Sequence, residues 1–492
     1  MRRHFKSFCS VVNNIFNYKI PWHRYGRTLW VVSSISWILV FLSACFFLMI
    51  CFFYLHDRKE ILETFVLCGT GCLFFGVLGT LAFPVPRISC VTPETKALMT
   101  LIFWGVVAII VSVPIYVHVP NQGFSSALFE GVSCLTTTGV SLISSNILLP
   151  PMIEFWCVFI QWIGGIGIVL FSFSLIPALK LNSSLILLSE FSQNFEKTTP
   201  RTRTMALHII CLYFGLTFFL AMLLWSNKTL PFRTCLHYSM SCVSTGGIQA
   251  RNAPILMLNF YEKFVLIIGM ILGSIPFIGM VQGIYHFKSL LKNDQIRGYS
   301  LVCVASFFVM CTNRCLTFDH IFYAVSCITS TGFVSAPSLN SFSSLWCLGL
   351  VILGGCSGSS AGGFKIFRVQ LMYRISKNKI LKILRPKRFS ILKYNEKAIQ
   401  QEDVVLLLTS TFIYGIVAIG VSLLFSVLGH APKISCLISC GLITNSGGEM
   451  HSVGTYIQNF SSIEQWIGIF TMLLGRLEAI IILVVSSLIT FK

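Results

Sequence analysis

Charged side chains are scarce in this chain of 492 residues. Asp, Glu, Lys and Arg together make up 11% of it, and only 17 residues are acidic. A soluble domain carries roughly a quarter charged residues. Hydrophobic residues make up 55%, so several soluble domains of this combined length would lack the polar residues to cover their surfaces. The composition excludes a soluble multidomain protein and indicates an integral membrane protein.

Signals for enzymatic or cofactor chemistry are also lacking. The ten histidines are scattered, and no pair has the spacing of a metal or proton-transfer site. Most of the 19 cysteines lie within apolar runs, where cysteine behaves as a small buried hydrophobe. No glycine-rich nucleotide fingerprint follows a strand pattern. We therefore expect no enzyme activity and no bound cofactor.

Long apolar runs predict an all-α membrane protein with about ten transmembrane helices. Each run is near the roughly 20 residues that cross a bilayer core, except a short seventh. A basic segment, residues 1–28, precedes a first run that is too long for the apolar part of a signal peptide. The runs lie near residues 29–55, 61–83, 97–118, 153–179, 205–225, 261–287, 298–312, 344–371, 403–428 and 463–490.

Positive charge is distributed unevenly between the two sides of these runs. If the amino terminus is cytosolic, 24 of the 36 Lys and Arg residues fall on the cytosolic side and seven on the opposite side. Positive residues favour cytosolic loops, which predicts a multi-pass protein of the inner (plasma) membrane with both termini in the cytosol. The net charge of +19 thus reflects topology, and no basic soluble face for nucleic acid is visible.

Four segments between predicted spans share one pattern. Each has an apolar stretch too short to cross the membrane and then a cluster of Ser, Thr and Gly. In three of them a Ser-Cys pair precedes a glycine six residues after the serine, and the fourth ends in a similar Thr-x-x-Gly. The repeat predicts an outer helix, a re-entrant helix, a glycine loop and an inner helix, four times over, after two extra helices.

Four re-entrant helices can bring their loops together around one axis. Irregular backbone at membrane depth is tolerated where it is buried in protein or lines water, and glycine allows carbonyl oxygens to face an ion. The scattered acids Glu130, Asp319 and Glu449 are too few to favour Ca²⁺ or Mg²⁺. We therefore expect a monovalent-cation filter formed by Thr136, Thr137, Thr138, Gly139, Ser244, Thr245, Gly246, Gly247, Ser330, Thr331, Gly332, Thr444, Asn445, Ser446 and Gly447.

Other interpretations remain open. A single cluster of small residues is more often a helix-packing face, but four clusters at equivalent places favour a pore. A secondary solute transporter with broken helices would need polar residues spread over several spans, and few are present. The sequence also leaves open which of Gly246 and Gly247 belongs to the filter.

Residues 354–365 interrupt the eighth apolar run. Five of these twelve residues are glycine, and each glycine costs a helix about 1 kcal/mol relative to alanine. An unwound segment within a span must line a cavity, so we expect a flexible flap below the filter. Arg476 lies in the last apolar run, where an arginine is costly and indicates function. The predicted gate residues are Gly354, Gly355, Gly358, Gly362, Gly363 and Arg476.

The chain resembles the Trk/Ktr/HKT superfamily of potassium transporters, most of all its TrkH branch. The resemblance covers nearly the whole chain and rests on four motifs: TTTG at 136–139, STGF at 330–333, the glycine-rich 354–365, and LGRLE at 474–478. In that superfamily one glycine per repeat forms the filter. The resemblance implies that these are Gly139, Gly247, Gly332 and Gly447. A glycine at the first position implies potassium preference, whereas sodium-preferring plant relatives have serine there. A sodium or non-selective transporter of the same fold remains the alternative.

The resemblance also implies a gate and partners. It implies an intramembrane gating loop at residues 354–365 with Arg476 beneath the filter, a homodimer with one pore in each protomer, and a cytosolic ring of nucleotide-binding regulatory subunits. The stretch 372–402 contains nine basic residues. It can face lipid headgroups or provide a docking surface for that ring.

The expected layout follows from these assignments. We predict a basic tail at 1–28, two extra helices at 29–96, pore repeats at 97–200, 201–294, 295–374 and 403–492, and a basic cytosolic loop at 375–402.

Overall fold

The computed structural model describes residues 22–54, 57–83, 93–120, 123–144, 147, 149–178, 202–312, 317–335, 339–385, 392–395, 397–447 and 454–490. The chain forms two compact units that divide between Phe103 and Trp104. Most of the predicted basic tail, most of the basic stretch 180–204, and Glu449 lie outside the described residues.

The first unit contains a helical hairpin. Helices α1 (Trp22–Phe53) and α2 (Lys59–Ala82) pack along each other, and α3 (Pro93–His118) begins in this unit. Glycines on α2 allow the close contact. A Cβ added to Gly76 would lie 2.9 Å from the backbone nitrogen of Val40, and one added to Gly79 would lie 2.0 Å from Ser36 Oγ. These two helices match the extra pair that the sequence predicts.

The second unit contains short helices that alternate with longer ones. The short apolar helices are α4 (Phe124–Leu135), α7 (Phe232–Val243), α12 (Phe318–Ile328) and α16 (Pro432–Ile443). The remaining elements, in chain order, are α5 (Pro151–Ala178), α6 (Thr202–Ser226), a 3₁₀ turn (Ile255–Met257), α8 (Phe260–Ser274), α9 (Phe277–Tyr285), α10 (Phe287–Lys292), α11 (Asp294–Met310), α13 (Ser341–Leu353), α14 (Ile366–Leu384), β1 (Lys393–Tyr394), β2 (Lys397–Ala398), α15 (Gln401–Val427), α17 (Gly454–Gln458) and α18 (Ser462–Thr490).

Six of the described helices are long and apolar enough to cross a membrane, and a bent pair can supply a seventh span. The predicted span at 261–287 is this pair, since α8 and α9 meet at 98°. Pro276, which has no backbone N–H, lies at the bend. Residues 354–365 satisfy its free backbone groups, because Cys356 N donates to Ser274 O (3.1 Å) and Phe277 N donates to Gly358 O (3.0 Å).

The predicted eighth span is also interrupted. Helix α13 ends at Leu353 and α14 begins at Ile366, so residues 354–365 are not helical, as the glycine content predicts. Four residues there have positive φ: Gly354, Gly358, Gly363 and Lys365.

The short helices are buried, and inner helices press against their carboxyl ends. A Cβ added to Gly164 on α5 would lie 1.9 Å from Leu135 O, and one added to Gly475 on α18 would lie 2.1 Å from Ile443 O. On α8, a Cβ added to Gly273 would lie 2.9 Å from Cys242 O. Only glycine permits this approach, and it fixes where the first, second and fourth loops begin.

Candidate functional site

The four loops after the short helices have the same backbone geometry. One residue in each has a φ between +51° and +55°, and these residues are Thr137, Thr245, Ser330 and Asn445. The N–H of the next residue donates to the carbonyl five positions earlier, over 2.9 to 3.1 Å, in all four loops. The internal repeat that the sequence shows is therefore also a repeat of hydrogen bonds.

The repeated hydrogen bonds identify the equivalent glycines. Gly139, Gly247 and Gly332 have φ values of +72°, +77° and +90°, and each follows the residue that donates the repeated bond. Gly246 donates that bond itself, to Ser241 O, so it is the equivalent of Thr138. Gly247 is thus the second equivalent glycine. Gly447 occupies the fourth position but does not share the positive φ.

The loops touch one another at their glycines. A Cβ added to Gly139 would lie 1.9 Å from Gly246 O, one added to Gly247 would lie 1.9 Å from Thr331 O, and one added to Gly447 would lie 2.8 Å from Thr138 O. The first loop therefore contacts the second and fourth, and the second contacts the third.

Backbone carbonyls and hydroxyls are concentrated where the loops meet. Asn445 Nδ2 donates to Thr138 Oγ1 (3.0 Å) and joins the fourth loop to the first. The Ser, Thr and Asn residues predicted for the filter are each at most 1% exposed. The structure brings together all of the residues that we predict for the filter.

The acids near these loops bind protein groups. Glu130 Oε1 accepts hydrogen bonds from Leu142 N (2.5 Å), Ile143 N (3.2 Å) and Ser141 Oγ (2.9 Å). The carboxylate therefore holds the chain just after Gly139. Asp319 pairs with Lys263 Nζ at 2.7 Å, which joins α12 to α8.

Residues 354–365 lie against three of the four loops. Gly362 N donates to Ser330 Oγ (2.6 Å) and Gly363 N donates to Thr444 O (2.8 Å). Ser360 Oγ donates to Val243 O (2.7 Å), at the end of α7. The segment thus contacts the second, third and fourth repeats through its own hydrogen-bonding groups.

Arg476 is 5% exposed and points at this segment. Its Nη2 donates to Ser360 O over 2.8 Å, while its Nε has no partner among the described residues. Ser360, which accepts from Arg476 and donates to α7, is therefore the residue at which the last helix, the unwound segment and the second repeat meet. Lys365 Nζ donates to Ala361 O, so this lysine closes the same segment on itself.

The hairpin formed by β1 and β2 is connected to the unwound segment through the start of α11. Asp294 N donates to Asn395 Oδ1 (2.8 Å), and Asn395 N donates to Asp294 Oδ2 (3.0 Å). Arg374 on α14 pairs with Asp294 at 2.9 Å. The next residue, Gln295, accepts a hydrogen bond from Ser357 N (2.9 Å) through its Oε1. Neighbouring residues of α11 thus hold the hairpin on one side and the unwound segment on the other.

Sequence reasoning missed several of these residues. Glu130 was visible as an acid in a short apolar helix, but its role in holding the following chain depends on the fold. Ser360 lay within the predicted flap but was not distinguished from its neighbours, and Gln295, an ordinary polar residue far from the flap in sequence, carried no signal. Gln161 on α5, which is fully buried beside Gly246, looked like one more residue of an apolar run.

The fold and the site define a helical membrane protein in which four re-entrant helices bring four glycine loops together. Residues 81–318 match the TrkH family, described as "Cation transport protein". An uncharacterized cation transporter of Methanocaldococcus jannaschii is 28% identical over 433 residues, which are 85% of this chain and 88% of that protein.

Two further comparisons agree. The Trk system potassium uptake protein TrkI of Halomonas elongata is 25% identical over 80% of this chain and 83% of its own length. The crystal structure of the potassium transporter TrkH from Vibrio parahaemolyticus has the same fold, with a TM-score of 0.81 at 21% identity, over 94% of this chain and 100% of that one. The chain is thus similar to TrkH-type cation transport proteins over most of its length. The predicted all-α membrane fold is confirmed.

The contacts of Glu130 yield a prediction about stability. Replacing Glu130 by Ala removes the acceptor for two backbone N–H groups and a hydroxyl, and an unsatisfied buried group costs about 1–3 kcal/mol. Glu130→Ala should lower the melting temperature of the purified protein in detergent. Glu130→Gln is the matched control, because it keeps an acceptor oxygen and should lie closer to the wild type. Equal melting temperatures for the alanine variant and the wild type would contradict this role.

Proposed function

We propose that the protein mediates potassium uptake across the cell's inner membrane, through a pore whose selectivity filter consists of the four loops. The single observation that carries the proposal is the contact of four equivalent loops at Gly139, Gly247, Gly332 and Gly447. The potassium uptake named for the similar TrkH and TrkI proteins supports the choice of ion. The direct test is ⁸⁶Rb⁺ uptake into liposomes that contain the purified protein, and liposomes that take up no more tracer than empty ones would refute it.

Neutral oxygen ligands provide the chemistry. Carbonyl oxygens and Ser or Thr hydroxyls can replace the hydration shell of a monovalent cation. The nearby carboxylates of Glu130 and Asp319 are already bonded to protein groups, so they do not contribute a ring of negative charge. This composition favours K⁺ over divalent cations.

A sodium or non-selective transporter of the same fold is the second candidate. One observation favours it: the fourth loop departs from the common geometry, because Gly447 lacks the positive φ of the other three glycines. A filter in which one of the four loops has a different backbone geometry can discriminate less well between K⁺ and Na⁺. Competition of Na⁺ with ⁸⁶Rb⁺ in the same liposomes separates the two candidates.

Residues 354–365 and Arg476 act as the gate in this proposal. The segment lies against three loops and is attached to them by a few hydrogen bonds, so it can move without breaking a helix. The Arg476 guanidinium holds Ser360 and places a positive charge next to the ion path. At an effective dielectric near 20, unit charges about 6 Å apart repel by about 3 kcal/mol.

The protein acts, in our proposal, as a homodimer with a pore in each protomer and with both termini in the cytosol. Its regulator is a cytosolic ring of nucleotide-binding subunits that docks on the basic stretch 372–402. The hydrogen bonds between Asp294 and Asn395 of the hairpin, and from Ser357 N to Gln295 Oε1, support this assignment. These bonds connect the hairpin to residues 354–365, so a partner that binds the hairpin can change the position of the gate.

The first prediction of this proposal concerns ion discrimination. Gly139→Ser places a side chain at a φ of +72°, 1.9 Å from Gly246 O, so the first and second loops must separate. Discrimination of K⁺ over Na⁺ should fall by about tenfold, which corresponds to a change of about 1.4 kcal/mol. The measurement is inhibition of ⁸⁶Rb⁺ uptake by Na⁺.

Gly429→Ser is the matched control. Gly429 also has a positive φ, +102°, but a Cβ there meets nothing within 4 Å. The Gly429→Ser variant measures the conformational cost of a serine at positive φ. We expect it to leave the discrimination between K⁺ and Na⁺ unchanged. A Gly139→Ser protein that discriminates as well as wild type would remove Gly139 from the filter.

A second prediction concerns the gate. Arg476→Ala removes the charge and the bond to Ser360, and deletion of residues 358–363 removes the segment's hydrogen bonds to the loops. Each should raise uptake per folded protomer, by up to about a hundredfold for a barrier near 3 kcal/mol. Together they should be less than additive, because both remove the same obstruction.

Arg476→Lys separates charge from hydrogen-bond geometry. A lysine keeps the positive charge but lacks the planar guanidinium, so it should remain slower than the alanine variant if charge sets the barrier. Unchanged or lower uptake in both the alanine and deletion variants, at normal protein yield, would refute the gate.

A third prediction concerns the route from the cytosolic hairpin. Asn395→Gly removes the acceptor for Asp294 N while it tolerates the positive φ of 45° at this position. The variant should increase deuterium exchange of the backbone at residues 354–365. Lys379→Ala, at an exposed position on α14, is the control and should not. Exchange that stays at the wild-type level in Asn395→Gly would show that the hairpin and the gate are not coupled.

A further inference from the structure

Gln161 lies on α5 and is fully buried between two of the loops. A Cβ added to Gly246 would lie 2.0 Å from Gln161 Cδ and 2.2 Å from its Nε2. A Cβ added to Gly139 would lie 3.5 Å from the same nitrogen. The amide therefore occupies the space in front of Gly246, at the contact between the first and second loops.

Three of the four loops have a hydroxyl side chain at the position of Gly246. The equivalents are Thr138, Thr331 and Ser446, according to the repeated hydrogen bonds. In the first and third loops this hydroxyl bonds to the one two residues earlier, Thr136 to Thr138 and Thr329 to Thr331, each at 2.7 Å. The second loop has no side chain there, and the Gln161 amide fills the space instead.

The chemistry of this side chain points beyond packing. Neither amide atom of Gln161 has a hydrogen-bond partner among the described residues, and a buried unsatisfied polar group is costly. Leu or Met would fill a similar volume without that cost. In a site without water the local dielectric constant is low, so a fixed amide dipole interacts strongly with nearby charges. Beside the loop backbone, such a dipole can act on a cation that passes through the filter.

We propose that Gln161 is a positioning residue of the filter. It replaces the hydroxyl side chain that the second loop lacks, holds the backbones of Gly139 and Gly246 at their observed separation, and thereby sets the preference among monovalent cations. This inference rests on the proposed filter function. It also explains why the second loop has two adjacent glycines: Gly247 needs the positive φ, and Gly246 makes room for the amide.

The test is an exchange of side chains across the contact. Gly246→Ser alone should collide with Gln161 and lower ⁸⁶Rb⁺ uptake about tenfold or more. Gln161→Ala alone should lower discrimination of Rb⁺ against Na⁺ by about tenfold. The double variant Gln161→Ala with Gly246→Ser restores a hydroxyl side chain to the second loop in the space that the amide vacates. It should recover both properties toward wild type, and this non-additivity is the signature of a direct contact.

Two further variants make the experiment selective. Gln161→Leu fills the volume without an amide, so it should keep normal protein yield but lose discrimination. Gly167→Ser lies on the same helix, where an added Cβ meets nothing within 4 Å, and should behave as wild type.

The outcomes separate this inference from the proposed function. A wild-type protein that carries neither Rb⁺ nor Na⁺ overturns the function and the inference together. If the wild type discriminates between the ions, and Gln161→Ala and Gln161→Leu discriminate equally well, only the role of Gln161 is overturned. A double variant no better than Gly246→Ser also overturns it, because the amide would then not occupy the place of the missing hydroxyl.

Discussion

The structure depends on one constraint: peptide groups outside a helix must find hydrogen-bond partners at a depth where lipid offers none. Each of the four loops meets this demand in the same way. After a short helix, one residue takes a positive φ and the next N–H turns back to a carbonyl five residues earlier. This N–H is therefore bonded within its own repeat and needs no partner from lipid or from another loop.

The same constraint explains how residues 354–365 can remain unwound. Their N–H groups donate to Ser274 O, Ser330 Oγ and Thr444 O, and their carbonyls accept from Phe277 and Arg476. The partners come from three repeats, so the segment cannot move as a unit without exposing backbone in several places. In the proposed gate, a movement of the segment would exchange these bonds for bonds to water, so the loss of any one partner would shift the balance toward the moved state.

Much of the fold could be predicted from sequence because hydrophobic runs and glycine spacing are local signals. The order of long and short helices, the interruption at 354–365 and the equivalent glycines all follow from patterns within a few residues. The bend between α8 and α9 was not predicted. A proline can be tolerated within a span, and what stabilises the 98° angle is a set of hydrogen bonds to residues about 80 positions away in the sequence. Gly246 and Gly247 could not be separated for a similar reason, since only the hydrogen bond from Gly246 to Ser241 O fixes the register.

Side chains that act between repeats were the least predictable. Gln161 belongs to the first repeat but lies against a glycine of the second, and Asn445 of the fourth bonds to Thr138 of the first. A single chain with four unequal repeats can assign different tasks to equivalent positions, whereas four identical subunits must repeat each choice. In this chain Asn445 and Thr138 join the fourth loop to the first, whereas Gln161 lies against Gly246 where the first and second loops meet. Gly447 differs from the other three equivalent glycines because its φ is not positive. In the proposed function, this asymmetry would allow one loop to be adjusted to the gate while the others keep the common geometry, so that ion selectivity and gating could change separately.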